Sequence, residues 1–410
     1  MGIISTMPSE SFAQNFYGAP PPADFGQGIG EPVDDNAAAL EGGGPQIGKL
    51  PFVYNFAVRE GYDDNLFTTK TDKSASFYTN IAAGIQYTAD NPRLRLVTGL
   101  NGGITYYYTR PGNKNDYTGA WTLDSTYQLT PRLILTLSTN TAYLAQPDLT
   151  IAGGTNRQNG DYIYSNTTLG AAYQWTDKFS TETKYNFAVS YYVEQSLNDT
   201  QGNISQTISQ SAKWLILPKT TGVLEYRANP TTYFQADLDS FGNYFLLGVD
   251  QVFNPKFRVT TRGGAQVNFN QNQTDGSSVY VGPFGELNLS YEYMKASNIS
   301  LSMRYGTEAS GLNDVTQRQT FRIGFNMVQG ITQRLSLNLG INYQNNYYDQ
   351  PGVIPDFYEN IIELIAGGQF NINRFVSLQA GYTFTADIAP VEPSREYTRN
   401  VAFVGVNFTF

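Results

Sequence analysis

The chain contains no cysteine and no histidine. The first absence rules out a disulfide framework and thiolate chemistry. The second removes Ser-His-Asp triads, His-ligated zinc and imidazole acid–base catalysis together. Charge is scarce as well, at 15% of 410 residues, against about a quarter in ordinary soluble domains. A net charge of −9 disfavours nucleic acid, which calls for basic patches. No apolar run approaches the roughly 18–20 residues that a membrane-spanning helix needs. A mean hydropathy of −0.35 therefore excludes helical membrane proteins. It leaves barrels open, because their lumen face is polar.

What is present is aromatic and glycine-rich: 30 Tyr, 25 Phe and 39 Gly. Length alone suggests two or three domains, but this composition points to one extended β architecture. From Arg334 to Gln344, Leu335, Leu337, Leu339, Ile341 and Tyr343 alternate with Ser336, Asn338, Gly340, Asn342 and Gln344. Strict period-2 alternation is a strand with one apolar and one wet face. Val376 to Thr385 and Ile299 to Tyr305 repeat the pattern. The polar face is small and amide-rich and the apolar face is capped by aromatics, as in an apolar band with aromatic girdles around a polar lumen.

The connections support the same reading. Eight are very short, around Asn91-Pro92, Thr130-Pro131, Thr176-Asp177, Pro218, Asn254-Pro255, Ala296-Ser297, Thr332-Gln333 and Asn373. Pro and Asn there are turn chemistry, and each turn carries a basic residue, from Arg93 and Arg132 to Arg334 and Arg374. Between them lie mostly longer connections rich in Gly, Asn and Asp. Short turns on one side and long loops on the other is the outer-membrane arrangement. The expectation is an all-β, transmembrane, antiparallel up-and-down β-barrel of 18 strands, from residues 50–63 to 397–410. The strand at 220–233 is put in question by Asn229-Pro230 inside it.

Residues 1–48 are expected to be a signal-peptide remnant, with Ser11-Phe12-Ala13 as a cleavage-like pattern, followed by a disordered Pro/Gly-rich tail. The barrel is expected to fill 49–410. Gly43 to Lys49 imitates a phosphate-binding loop, but Leu50 replaces Ser or Thr and a strand follows. It is read as coincidence, and no cofactor and no metal are expected.

The final strand ends in the ten residues from Val401 to Phe410, with Ala402, Val404, Val406, Phe408 and Phe410 on one face and Phe403 out of pattern on the other. Ending on an outward Phe resembles the closing strand of bacterial outer-membrane barrels. The first strand closes on Asp63-Asp64-Asn65-Leu66-Phe67. A first strand ending Asp-Asp-Asn-aliphatic-aromatic resembles the family named putative β-barrel porin 2, over about residues 50–410. The resemblance implies a channel in the outer membrane of a Gram-negative cell, with outer-membrane lipid and lipopolysaccharide as surroundings. Outer-membrane proteases and phospholipases resemble this architecture but depend on histidine, so an enzyme is not expected.

Charges in the wall give the candidate site. With Phe321, Ile323, Phe325 and Met327 toward lipid, Arg318 and Arg322 face the lumen. The same parity turns Arg258, Arg262, Glu286, Glu292 and Arg304 inward. A basic residue at mid-bilayer on the lipid face costs about 2–4 kcal/mol, and several would exceed the roughly 5–15 kcal/mol of a folded protein's stability. This arginine-rich sector reads either as an anion-selecting constriction or as mutual pairing that stiffens the wall. Glu182 beside Lys184 and Glu225 beside Arg227 look like such pairs. Asp63 and Asp64 could bind Ca²⁺ or bridge lipopolysaccharide, or form an Asx-type loop, which is preferred. The third outer connection, Gln146 to Gly160, resembles a pore-narrowing loop in position, with a solvated outer loop as the other reading. Tyr347, Tyr348, Phe357 and Tyr358 are expected in the outer aromatic girdle, with sugar stacking as the other reading.

The leading expected function is passive passage of hydrophilic solutes or oligosaccharides. Two other readings stay open. One is a component of exopolysaccharide secretion with a periplasmic export partner. The other is a structural or adhesive barrel with an occluded lumen.

Overall fold

The computed structural model describes residues 52–145, 160–235, 239–270, 278–312, 315–348, 357–391 and 395–410. The expectations for the tail, the phosphate-loop-like segment and most of the third outer connection lie outside the described residues. The strands are β1 (Phe52–Asp63), β2 (Ser76–Asp90), β3 (Leu94–Tyr107), β4 (Asn115–Thr130), β5 (Leu133–Leu144), β6 (Tyr162–Gln174), β7 (Phe179–Tyr192), β8 (Asn203–Leu217) and β9 (Thr220–Tyr233). They continue with β10 (Ser240–Asn254), β11 (Phe257–Asn270), β12 (Ser278–Met294), β13 (Ser297–Leu312), β14 (Val315–Gly330), β15 (Leu335–Tyr348), β16 (Phe357–Asn371), β17 (Val376–Ile388) and β18 (Tyr397–Thr409).

Each strand pairs antiparallel with its sequence neighbours, and β1 also pairs with β18. The result is a closed barrel of 18 strands. Closure removes every sheet edge, which is what lets a β backbone cross hydrocarbon with its polar groups satisfied. The strand at 220–233 is present despite Pro230. Where the proline has no N–H to donate, the Asn229 side-chain amide donates to the Gln206 carbonyl at 2.7 Å and to Thr207 Oγ1 at 2.8 Å.

At one end of the barrel no connection exceeds four residues. The turns there are built by one recurring device. Asn91, Thr130, Thr176, Thr332 and Asn373 each accept two backbone N–H groups from the residues two and three positions on. These are Asx and ST turns, in which a short polar side chain replaces a ladder bond as the chain reverses.

Directly opposed residues in neighbouring strands share a face. Leu247, Val281, Val404 and Trp214 are among the most exposed apolar side chains, and all stand on the outward face. On the other face the register runs Gly248↔Arg262↔Glu286↔Arg304↔Arg322↔Gln344↔Ile361. The polar row therefore lies inside the barrel, and the buried core is the packing of such inward side chains toward the long-loop end.

Candidate functional site

The inward face of β9 to β16 carries a connected charge network. Arg227 donates to Glu225 and, through both terminal nitrogens, to Glu286 at 3.1–3.2 Å. Arg262 donates to Glu225 at 3.2 Å and to Asp250 at 2.6 Å. Glu308 draws three guanidinium groups: Arg322, bound in a fork, with Arg304 at 3.6 Å and Arg318 at 3.7 Å. Arg318 also donates to the Tyr348 hydroxyl at 3.3 Å, which donates to Glu359 at 2.9 Å. Glu359 further accepts from Asn346 at 2.7 Å and from Arg395 at 2.6 Å. Arg227 and Arg304 both lie over the Phe284 ring, at 5.8 and 5.4 Å, adding cation–π attraction to the ion pairs. These contacts bring six guanidinium groups to five carboxylates, and the sector is close to neutral.

Space for this packing comes from the smallest residue. A Cβ on Gly248 would stand 2.6 Å from Arg262 Cδ and 2.2 Å from the Thr261 carbonyl oxygen. Gly248→Ala is therefore expected to push Arg262 off Asp250 and to cost about 1–3 kcal/mol by overpacking. Thermal unfolding followed by gel mobility would read this loss, and an unchanged midpoint would refute it.

Burial is graded along the lumen. Toward the long-loop end the inward Tyr162, Tyr164, Tyr192, Gln266, Asn346, Tyr348 and Glu359 are essentially buried. Tyr348 stacks on Phe357 with ring centroids 4.4 Å apart. A seven-residue helix in the fourth outer connection, α1 (Gln195–Gln201), places Leu197 against the Tyr162–Tyr164–Tyr192 cluster. The Asn198 side chain accepts the Tyr192 N–H at 3.1 Å. The inward face of β2 to β5 is different. Ala82, Gly84, Gly99, Asn101, Gly103, Thr118 and Ala120 line its middle by register, and they are small and neutral. Arg95 and Asp124 stand on the same face nearer the short turns, and Asp116 nearer the long loops.

The Asp63–Phe67 segment joins the two ends of the chain. Asp63 faces inward and receives Arg399 on both carboxylate oxygens, at 3.1–3.2 Å from Nε. Asp64 accepts the Asn400 N–H at 2.7 Å and its side-chain amide at 2.6 Å. Asn65 donates to the Thr398 and Thr69 carbonyls, while its own N–H goes to Asp63. The motif thus clasps β1 to β18 on both faces of the seam, in the Asx geometry. No group of three or more carboxylates able to hold a metal occurs among the described residues.

The register places Arg258, Arg262, Glu286, Glu292, Arg304, Arg318, Arg322, Lys184 and Glu182 on the inward face. It does not gather them at one level. Arg258 lies opposite Ser290 near the short-turn end. Glu292 sits beside Lys256 at 3.9 Å, both largely exposed. Glu182 binds Lys184 and Lys213, each at 2.9 Å, as a separate cluster on β7 and β8. Sequence reasoning passed over Glu308 and Phe284, though each shares the parity of Arg304 and marks the same face. It also placed four aromatics together in the girdle. Tyr347 and Tyr358 do face outward as a pair, 4.8 Å apart, whereas Tyr348 and Phe357 turn into the lumen, because successive residues on a strand take opposite faces.

No curated protein sequence matches this one. Among solved structures it is similar to OccAB4 of Acinetobacter baumannii, at 12% identity and a TM-score of 0.46 over 88% of this chain and 98% of that one. It is also similar to OccK2 of Pseudomonas aeruginosa solved with glucuronate, at 9% identity and a TM-score of 0.48 over 88% and 98%. A third is a BenF-like porin of Pseudomonas fluorescens, at 9% identity and 0.47 over 88% and 99%. The sequence pattern of one family spans residues 41–410, the whole barrel from before β1 to the terminal Phe. With its closed 18-stranded wall, polar inward face and sealed seam, the chain belongs to the putative β-barrel porin 2 family.

Proposed function

We propose that the barrel is a passive channel of the bacterial outer membrane for small hydrophilic solutes, without catalytic activity. The observation that carries this reading is the asymmetry of the lumen wall. Ion-paired side chains fill the side formed by β9 to β16, and the middle of the facing β2 to β5 offers Gly, Ala, Asn and Thr between Arg95 and Asp124 on one side and Asp116 on the other. A solute would pass along the small neutral wall, with Arg258, Arg262, Arg304, Arg318 and Arg322 bounding the path. Glu182, Lys184, Glu286 and Glu292 also line it. Because most of these charges neutralise each other, ion selectivity is expected to be weak rather than strongly anionic.

Planar-bilayer recording tests the proposal. Wild-type protein is expected to give stepwise openings, and Ala120→Trp on the neutral wall is expected to lower their conductance by roughly half by narrowing the path. Absence of steps above noise would reject the channel. The second reading, a barrel with an occluded lumen and a structural or adhesive role, is favoured by the burial of the outer half, where α1 packs on the tyrosine cluster, and it predicts that silence. The same packing favours small solutes over a polysaccharide exported with a periplasmic partner.

A further inference from the structure

The outward face is not uniformly apolar. On β13 to β15 it reads Leu301, Met303, Ile323, Phe325, Leu339 and Ile341, as contact with lipid requires. On β5 to β8 hydroxyl and amide groups stand at the same level. Thr139 pairs with Thr167 at 2.7 Å and Thr141 with Ser165 at 2.8 Å, hydroxyl to hydroxyl. Gln210 is the eighth of the fifteen residues of β8, close to the middle of the wall. Its Oε1 accepts from Thr183 Oγ1 at 2.6 Å, and Gln206 Oε1 accepts from the Tyr185 hydroxyl at 2.8 Å. Among the described residues, neither glutamine's Nε2 donates to any group of this chain.

Beside these amides the wall is indented. A hollow of about 470 Å³ is lined by the outward Ser125, Leu137, Leu169, Ala171, Thr183 and Tyr185. Next to it Ile208, opposite Tyr185 in the register, projects between the two glutamines and is half exposed.

We propose that this face docks a second copy of the chain, related to the first by a twofold axis along the membrane normal. Acyl chains accept no hydrogen bonds, so amide donors facing them stay unsatisfied at a cost. A second copy answers this, because a glutamine carbonyl oxygen retains a lone pair after accepting one bond. Each face therefore offers both the donors and the acceptors the other lacks, as an isologous contact requires. Shape is self-complementary in the same way, since the Ile208 of one chain meets the hollow of the other. Ser125, Ala171 and Thr183 leave room in the hollow for the Ile208 side chain, and close packing of this kind drives association within lipid.

Cross-linking in intact outer membranes tests this directly, because the chain has no cysteine of its own. The double variant Leu169→Cys/Ile208→Cys is expected to give a disulfide-linked band of twice the chain mass on oxidation, because Leu169 lines the hollow that receives Ile208 of the other chain. Within one chain the two positions stand two strands apart, too far to bridge. Val404→Cys, exposed on a distant part of the wall, is expected to remain single. Failure of Leu169→Cys/Ile208→Cys to cross-link, or equal cross-linking of Val404→Cys, overturns the proposal. Native mass spectrometry of the full chain in mild detergent is the second measurement. A dimer is expected for the wild type. The Gln206→Leu/Gln210→Leu double variant, which suits a lipid-facing wall and so preserves folding, is expected to reduce the dimer fraction by at least roughly tenfold. A wild-type monomer carrying retained lipid would assign the face to lipid instead, and an unchanged dimer in the double variant would refute the role of the amides.

Discussion

Asp63→Asn is expected to weaken the barrel at its seam more than any comparable change elsewhere on β1. Asp63 is 1% exposed and takes Arg399 on both its oxygens. Asn keeps the size and removes the charge, so a buried guanidinium loses its partner. Breaking a buried pair on one side costs about 3–5 kcal/mol, because the remaining charge is uncompensated. The cost falls where β1 meets β18, and only these two strands join the ends of the wall. The folded barrel should therefore convert to the unfolded mobility at a clearly lower temperature on gels. Arg399→Gln should do the same, and the double variant should be less damaging than the sum of the two, since each single change already removes the pair. Additive losses, or an unchanged midpoint in Asp63→Asn, would show that the clasp contributes nothing.

Glu308→Gln is expected to have the largest effect on passage. One carboxylate here faces Arg304, Arg318 and Arg322. Glutamine leaves those three cations with little to balance them, and six guanidinium groups then face four carboxylates in the sector. Two outcomes follow from one change. Stability should drop by about 3–5 kcal/mol, read by the same mobility assay. The reversal potential under a salt gradient should move toward chloride, with the anion-to-cation permeability ratio rising roughly severalfold as unpaired positive charge borders the path. Arg322→Ala should shift the ratio in the opposite direction. If Glu308→Gln leaves the reversal potential where it was, the arginine sector does not border the conducting path.

These two sites differ in how far they can be read without coordinates. The parity of Phe321, Ile323, Phe325 and Met327 was enough to send Arg318 and Arg322 inward, because side chains alternate every second residue and misplacing a charge in lipid is costly. Glu308 has the same parity but lies in the last third of β13, one residue before a register shift, where alternation gives little guidance. The Asp63–Phe67 motif was visible as a motif. Its work was not, because its partners Thr398, Arg399 and Asn400 lie more than 330 positions away.

The sequence by itself determined the 18 strands, the two ends of the barrel and the inward parity of Arg258, Arg262, Glu286, Glu292, Arg304, Arg318 and Arg322. Each of these follows from local rules: period-2 alternation, Asx and ST turns, and the energetic cost of charge in hydrocarbon. Only the tertiary structure decided that the charges pair among themselves, that the outer half of the lumen is packed, and that amides face outward beside a hollow. Those outcomes depend on distances between side chains brought together by closure of the ring, and closure is a property of all 18 strands that no short window of sequence contains.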